Sequence, residues 1–205
     1  MKISENVYLL DSTAGSYVYA ILGSETALVD SGFPWKGKSI IKELGAIGIQ
    51  PGDIKHILLT HHDIDHIGNV SLLQKLTGAQ VWASKEDIPY ITGKLDRYGF
   101  KKYLKYFFRV KKPKNVKSYT DGWKANDIEV IPTPGHTPGH VCLLYNDILF
   151  AGDLLENKNG RLIPYPPPWN WDDSLMLESI NKISQIPYKW ICPAHGKPMQ
   201  GEKVK

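Results

Sequence analysis

The chain has 205 residues, 42% hydrophobic and 22% charged, an ordinary globular composition and a length that suits one domain with a substantial core. No stretch approaches the roughly 20 apolar residues that a membrane-spanning helix needs. The net charge of +4 conceals an asymmetry: residues 94–117 hold ten Lys or Arg against Asp96 alone, a local +9 that leaves −5 elsewhere.

In chain order, strands are expected over 7–10, 17–22 and 26–29, with polar breaks at Asp11-Ser12 and Gly23-Ser24. A helix follows over about 35–44, where Ile40, Ile41 and Leu44 share a face. The Pro51-Gly52 turn leads into a short buried strand over 54–59. After the polar run that begins at Thr60 come a helix over 72–76 and a strand over 80–83. Ser84 is then placed to cap a turn, with Asp87 three residues on. Residues 88–118 do not fit a sheet. Phe100, Tyr103, Leu104, Phe107 and Phe108 recur at helical spacing, Lys101, Lys102 and Lys105 fall elsewhere on the wheel, and Lys112-Pro113-Lys114 ends the helix. A second set of strands is expected over 128–131, 141–145 and 148–150, the last two joined at Asn146-Asp147. Residues 164–168 read as a stiff exposed loop, 174–183 as a helix and 190–192 as the last strand. Cys142 and Cys192 read as buried small hydrophobes.

The run His61-His62-Asp63-Ile64-Asp65-His66 packs three imidazoles and two carboxylates into one loop. A strand end followed by a tight polar loop turns His61, Asp63, Asp65 and His66 toward one point. Asp65 and His66, adjacent in sequence, do not easily face the same ion as His61 and Asp63. They can face a second ion, and two-metal hydrolytic sites hold their ions about 3.5–4 Å apart. Strands also end in acids or histidines elsewhere: Asp30 in the first half, Asp153 and His195 in the second. That suits two packed sheets whose strand ends meet at one edge, and the pattern alone supports α/β or α+β. His62 is expected to face solvent or a wall, His140 to be packed or to order a loop, and His56 to be structural.

The same run resembles the His-x-His-x-Asp-His signature of the metallo-β-lactamase superfamily. Ala27-Leu28-Val29-Asp30-Ser31-Gly32 precedes it, and Thr133-Pro134-Gly135-His136-Thr137-Pro138-Gly139-His140, Phe150-Ala151-Gly152-Asp153 and Pro193-Ala194-His195-Gly196 follow, in the order the resemblance implies. There is one departure: Asp63 stands where the family usually has its second His. The resemblance implies an α+β, four-layer αβ/βα sandwich over 1–205, with a basic, aromatic helical insertion at about 88–118 and metals at one edge of the two sheets. It implies that His61, Asp63 and His136 hold the first of two divalent metal ions and that Asp65, His66 and His195 hold the second. Asp153 would bridge them, and Asp30 would orient the histidine loop by hydrogen bonds. Zinc is the first expectation. A carboxylate at 63 also admits iron or manganese, and an Asp63 that binds poorly would leave one metal.

The activity implied is hydrolysis by a metal-bridging hydroxide, with Asp65 helping to protonate the leaving group. A small carboxylic ester, lactone or thioester is the expected substrate, and Tyr103, Phe107 and Trp169 are the expected walls of its pocket. Only nine residues follow Gly196, so the glutathione-binding region of glyoxalase II enzymes is not expected, nor are the appendages of processing nucleases, although phosphodiester hydrolysis is an alternative. Asp63 also suits non-haem iron redox enzymes of this fold: flavodiiron oxygen reductases carry Glu at that position, and persulfide dioxygenases use one iron. The basic 94–117 segment, with Tyr98, Tyr103, Tyr106, Phe107 and Phe108, admits nucleic acid or an anionic membrane as a partner. The favoured expectation is that its aromatics pack over the core and its lysines, Lys101 among them, are solvated. With no signal-like apolar run after Met1-Lys2, a cytoplasmic location is expected.

Overall fold

Strand alternation builds the core. In a computed structural model that describes residues 1–123, 125 and 127–201, Val18 and Ala20 point to one side of their strand while Tyr19 and Ile21 point to the other, and all four are buried. A strand buried on both faces needs cover on both, which a sheet between two layers provides. Residues 202–205 of the expected domain lie outside the described residues.

The first sheet runs in the order β1 (Val7–Leu10), β2 (Val18–Ile21), β3 (Thr26–Val29), β4 (Ile54–Leu58), β5 (Gln80–Ala83) and β6 (Lys117–Ser118). Its first three strands are antiparallel, and β3 to β6 are parallel. The second sheet holds β7 (Ile128–Pro132), β8 (Val141–Tyr145), β9 (Ile148–Gly152), β12 (Trp190–Pro193) and β13 (Met199–Gln200) in the order β13-β12-β9-β8-β7. Between β9 and β12 stands a separate hairpin, β10 (Leu155–Lys158) and β11 (Arg161–Pro164).

Helices α1 (Gly37–Ala46) and α3 (Val70–Thr77), the latter preceded by the short α2 (Ile64–Ile67), cover the first sheet, placing Ile40, Leu44, Val70 and Leu73 on Leu28, Ile57 and Val81. Between the sheets Tyr19, Val29 and Leu58 pack on Leu143, Phe150 and Cys192. Helix α5 (Asp173–Ser184) covers the far side with Met176, Ile180 and Ile183, and the Asp172 carboxylate accepts from the Ser174 and Leu175 amides at its start. The result is an α+β sandwich of four layers. Both cysteines are free and buried within it. No helix of the described residues is long and apolar enough to cross a membrane.

The insertion departs from expectation. It holds a four-residue helix, α4 (Ile88–Ile91), and a 3-10 helix over Gly99–Tyr106 in place of one long α-helix, and its end forms β6, so it does enter the sheet. The tighter helix repeats every three residues, which re-sorts its faces. Phe100, Tyr103 and Tyr106 share the outer face and are exposed, while Lys101 is turned inward and is 6% exposed. The aromatics therefore do not pack down over the core: Phe107 is 77% exposed.

Candidate metal centre

Strands β3, β4, β7, β9 and β12 end at one edge, and Asp30, His61, His136, Asp153 and His195 each lie just past such an end. The two sheets are joined there by backbone. The Val141 amide donates to the Thr60 carbonyl (2.9 Å) and the Tyr17 amide to the Ala194 carbonyl (2.8 Å). The Tyr19 hydroxyl donates to the Pro193 carbonyl (2.6 Å), fixing the approach to His195. Beyond β9, the β10–β11 hairpin holds the other side: the Asn157 amide donates to the His195 carbonyl at 2.8 Å.

The tautomers follow from these partners. Asp30, at φ +63°, accepts from the Thr60 amide and hydroxyl, both at 2.8 Å, and lies 2.9 Å from His66 Nδ1. A carboxylate only accepts, so His66 carries its proton on Nδ1 and presents a lone pair on Nε2. The Thr60 hydroxyl has given its one proton to Asp30, so it accepts from His61 Nδ1 at 3.0 Å, and His61 likewise presents Nε2. His136 Nδ1 lies 2.9 Å from the Asn170 amide oxygen, which again leaves Nε2 for the centre. Thr60 and Asn170 are functional positions that sequence reasoning missed: nothing marks a threonine or asparagine for this role until the fold brings it to an imidazole.

Two sets of donor atoms converge. Asp65, His66, Asp153 and His195 form one, and His61, Asp63 and His136 the other, with the ligand atoms in each set all within 4.8 Å of one another. Asp153 reaches both: Oδ1 lies 3.2 Å from His66 Nε2, and Oδ2 lies 3.3, 3.5 and 3.8 Å from Nε2 of His195, His136 and His61. The structure therefore brings together all seven residues expected as ligands, with Asp30 behind them.

Fit to a metal differs between the sets. Nε2 of His66, Nε2 of His195 and Oδ1 of Asp153 are buried with no hydrogen-bond partner, a condition that a cation relieves. Burial opposes charge on Asp153, yet His195 and His66 hold its carboxyl well below the usual range. Burial would lower His195, but Asp153 and Asp65 raise it to about 10. This set attracts positive charge and fits a divalent ion.

In the other set His61 Nε2 and Asp63 Oδ1 are likewise buried with no hydrogen-bond partner, but Lys101 Nζ donates to Asp63 Oδ2 and lies 3.2 Å from His136 Nε2. Burial pushes Asp63 up, but the Lys101 ammonium and the adjoining His136 and His61 outweigh it and keep the carboxyl well below its ordinary value. The solvated lysine expected at 101 is thus a buried partner of the candidate ligands. Its separation from Asp63, 38 residues, hides it among the other basic residues of the insertion. Arg97 stands on the other side, donating to the His62 carbonyl (2.6 and 3.2 Å) and lying 3.8 Å from Asp63 Oδ1.

A cavity of about 340 Å³ opens onto Asp63, Asp65, Asp153 and His195, and its walls are Phe33, Ile64, Leu104, Phe108, Tyr165 and Trp169. Of the expected pocket residues only Trp169 lines it. Tyr103, on the outer face of the 3-10 helix, and Phe107, just past its end, are exposed by 55% and 77%, and Leu104 and Phe108 take that place. Tyr165, with its hydroxyl pushed well up by burial and by Asp153, Asp65 and Asp63, faces the cavity as a neutral phenol.

The other histidines are structural. His62 is buried rather than solvent-facing, stacked on Tyr90 with ring centroids 4.4 Å apart and Nδ1 2.9 Å from Asp87. His140 Nε2 accepts from the Asp153 amide at 3.1 Å, so its Nδ1 donates to the Thr133 hydroxyl at 2.9 Å. Burial, helped by His136, depresses it to about 3, so it stays neutral and positions Asp153. His56 accepts from Trp82 Nε1 through Nδ1 (3.2 Å) and lies 2.9 Å from Glu25 through Nε2.

A family model described as "Metallo-beta-lactamase superfamily" matches residues 12–195. A Methanocaldococcus jannaschii protein described as a "probable metallo-hydrolase" is 32% identical over 147 residues, 72% of this chain and 60% of that protein. The chain thus spans less than two thirds of that relative's length. Metallo-beta-lactamase domain-containing protein 1 of Xenopus laevis is 30% identical over 196 residues, 91% of this chain and 73% of that protein. A hydroxyacylglutathione hydrolase of Shewanella baltica is 31% identical over 135 residues, covering 64% of this chain and 43% of the relative. Among solved structures, the subclass B3 metallo-beta-lactamase MEM-A1 from a soil metagenome library superposes with a TM-score of 0.73 at 22% identity, over 95% of this chain and 78% of that one. ST1585, an archaeal superfamily protein from Sulfolobus tokodaii, does so at 0.70 and 22%, over 96% and 82%. At such identities these structures speak for the fold.

Proposed function

The chain belongs to the metallo-beta-lactamase superfamily, and on that premise we propose that it is a metal-dependent hydrolase of small carboxylic esters, lactones or thioesters with an apolar acyl group. The observation that carries the reading is the cavity: apolar walls on several sides and a floor of Asp65, Asp153 and His195. Its volume, about 340 Å³, lies near the lower end of the roughly 300–1,000 Å³ of small-molecule sites. The relative described as hydroxyacylglutathione hydrolase supports hydrolysis.

Asp65, His66, Asp153 and His195 would hold the metal. Bound there, a divalent ion supplies a Lewis acid that polarises a substrate oxygen and makes a coordinated water more acidic. The chain does the rest. Asp30, Thr60 and Asn170 fix the imidazole tautomers, and His140 holds the Asp153 amide. The walls keep bulk water from the reacting carbonyl. Asp65, at the cavity floor and partly exposed, is placed to take a proton and return it to the departing oxygen or sulfur. Two imidazoles and two carboxylates suit zinc, and they suit iron or manganese as well. That donor set is the one observation favouring a redox enzyme on iron.

A panel of lactones, esters, thioesters and phosphodiesters, assayed on protein loaded in turn with zinc, manganese and iron, tests the reading. Hydrolysis of acyl substrates that rises with acyl-chain length up to the cavity's limit is expected. Oxygen consumption with iron and no acyl hydrolysis would overturn it in favour of redox chemistry.

A further inference from the structure

We propose that the ammonium of Lys101 takes the place of a metal ion at the His61–Asp63–His136 set, so that the working centre holds one metal, at Asp65, His66, Asp153 and His195. The inference deepens the hydrolase reading and rests on it.

Geometry comes first. Lys101 Nζ contacts both Asp63 Oδ2 and His136 Nε2, and those two atoms are 3.1 Å from each other. The three make a closed triangle at the point where an ion bound to Asp63 and His136 would have to sit. The contrast with the neighbouring set is direct. There Nε2 of His66, Nε2 of His195 and Oδ1 of Asp153 have no partner; here His61 Nε2 and Asp63 Oδ1 also have none, but Asp63 Oδ2 and His136 Nε2 are both engaged by the lysine.

Charge points the same way. A divalent ion a few ångströms from a buried ammonium is repelled by a like charge in a low-dielectric surrounding. With one ion, the carboxylates of Asp63, Asp65 and Asp153 are balanced by that ion and Lys101 together. A second ion would leave the buried centre with excess positive charge. The pairing also accounts for residue 63. Had it been histidine, Lys101 would face only imidazoles. As aspartate it gives the ammonium a counter-charge, and Arg97 borders its other oxygen at 3.8 Å.

The 3-10 helix makes the insertion of Lys101 specific. Lys101 is 6% exposed, while Lys102 and Lys105 on the same helix are exposed and Lys105 pairs with Asp96 at the surface. Lys101 also borders a small cleft with His136, Asn170 and Trp169.

The test is metal stoichiometry of the full chain, purified without a metal-affinity tag and loaded with manganese, read by elemental analysis and by electron paramagnetic resonance. Wild type is expected to hold about one equivalent per chain with an uncoupled manganese spectrum, and Lys101→Ala about two with a spin-coupled pair, because a dinuclear site places its ions about 3.5–4 Å apart. His136→Ala should leave the wild-type equivalent in place, whereas His66→Ala should remove it. These two variants keep Lys101 and carry the test even if Lys101→Ala does not fold. Two tightly held equivalents in wild type, or loss of the single equivalent in His136→Ala, would overturn the proposal and leave the hydrolase reading intact. Absence of metal from wild type at every loading would overturn both.

Discussion

The hydroxyl of Thr60 has one proton and stands between Asp30 and His61. It donates to Asp30, the carboxylate that orients His66, and so must accept from His61; through Asp30 it fixes the candidate ligand nitrogen of His66 in a way a purely steric neighbour could not. Thr60→Val keeps the shape and removes both bonds. By analogy with other residues that orient metal ligands, it should weaken metal affinity by about 10–100-fold, read by chelator competition. An unchanged affinity would show that the tautomer is set elsewhere. Asp63 and Lys101 form a second residue-scale unit. Removing one member of a buried ion pair typically costs about 3–5 kcal/mol, so Asp63→Asn should lower stability on that order in chemical denaturation. Asp63→Asn combined with Lys101→Met should recover most of the loss, and equal losses in the single and double variants would refute the pairing. His140 sets a pH dependence. Its pKa is about 3 when folded and about 6.5 when unfolded, so between those values the unfolded chain binds more protons. Stability from this group is complete above the upper value and falls as pH drops toward the lower one. His140→Gln should therefore flatten the stability profile across that window relative to wild type.

At the scale of elements, the insertion shows what periodicity can and cannot say. Its aromatics recur at spacings that fit both a 3.6-residue and a 3-residue repeat, and the two repeats turn different side chains inward. Sequence had no means to choose between them, since the choice depends on Lys101 finding Asp63 and on Phe100 meeting Trp169 edge-on, with ring centroids 4.6 Å apart. The consequence is testable. Leu104→Ala and Phe108→Ala should change acyl-chain preference in kcat/KM with metal content unchanged. Tyr103→Ala and Phe107→Ala should leave both unchanged, and the opposite pattern would restore an α-helical insertion. The β10–β11 hairpin carries one clear sequence signal. Asn159-Gly160, both at positive φ, is a strong two-residue turn signal, masked by flanking strands as polar as Leu155-Glu156-Asn157-Lys158. Gly152 is a third case. It sits at φ +51°, and a Cβ there would lie 2.6 Å from His140 Nε2 and 3.0 Å from Thr60. Gly152→Ala should therefore disturb both supports of the centre and lower metal content, which elemental analysis would show.

The whole molecule places five like-directed strand ends along one edge, and that is why so much of the centre could be read from sequence. Ligands at strand ends keep short, recognisable motifs, as in His61 to His66 or Pro193 to Gly196. The four layers follow from strands apolar on both faces. What could not be read is what only the closed fold creates: Asn170 reaching His136 from a proline-rich loop, and a lysine from a distant insertion entering the centre. The central claim is that this edge is a metal-dependent hydrolytic site. Its most direct test is to strip the metal, add zinc back in substoichiometric steps, and follow the hydrolysis rate of a short-chain lactone or ester in wild type and Asp153→Ala. The account predicts no hydrolysis without metal, a rate that rises with occupancy and levels off at about one equivalent, and no recovery in Asp153→Ala. Hydrolysis that persists in the stripped protein, or that recovers equally in Asp153→Ala, would contradict it.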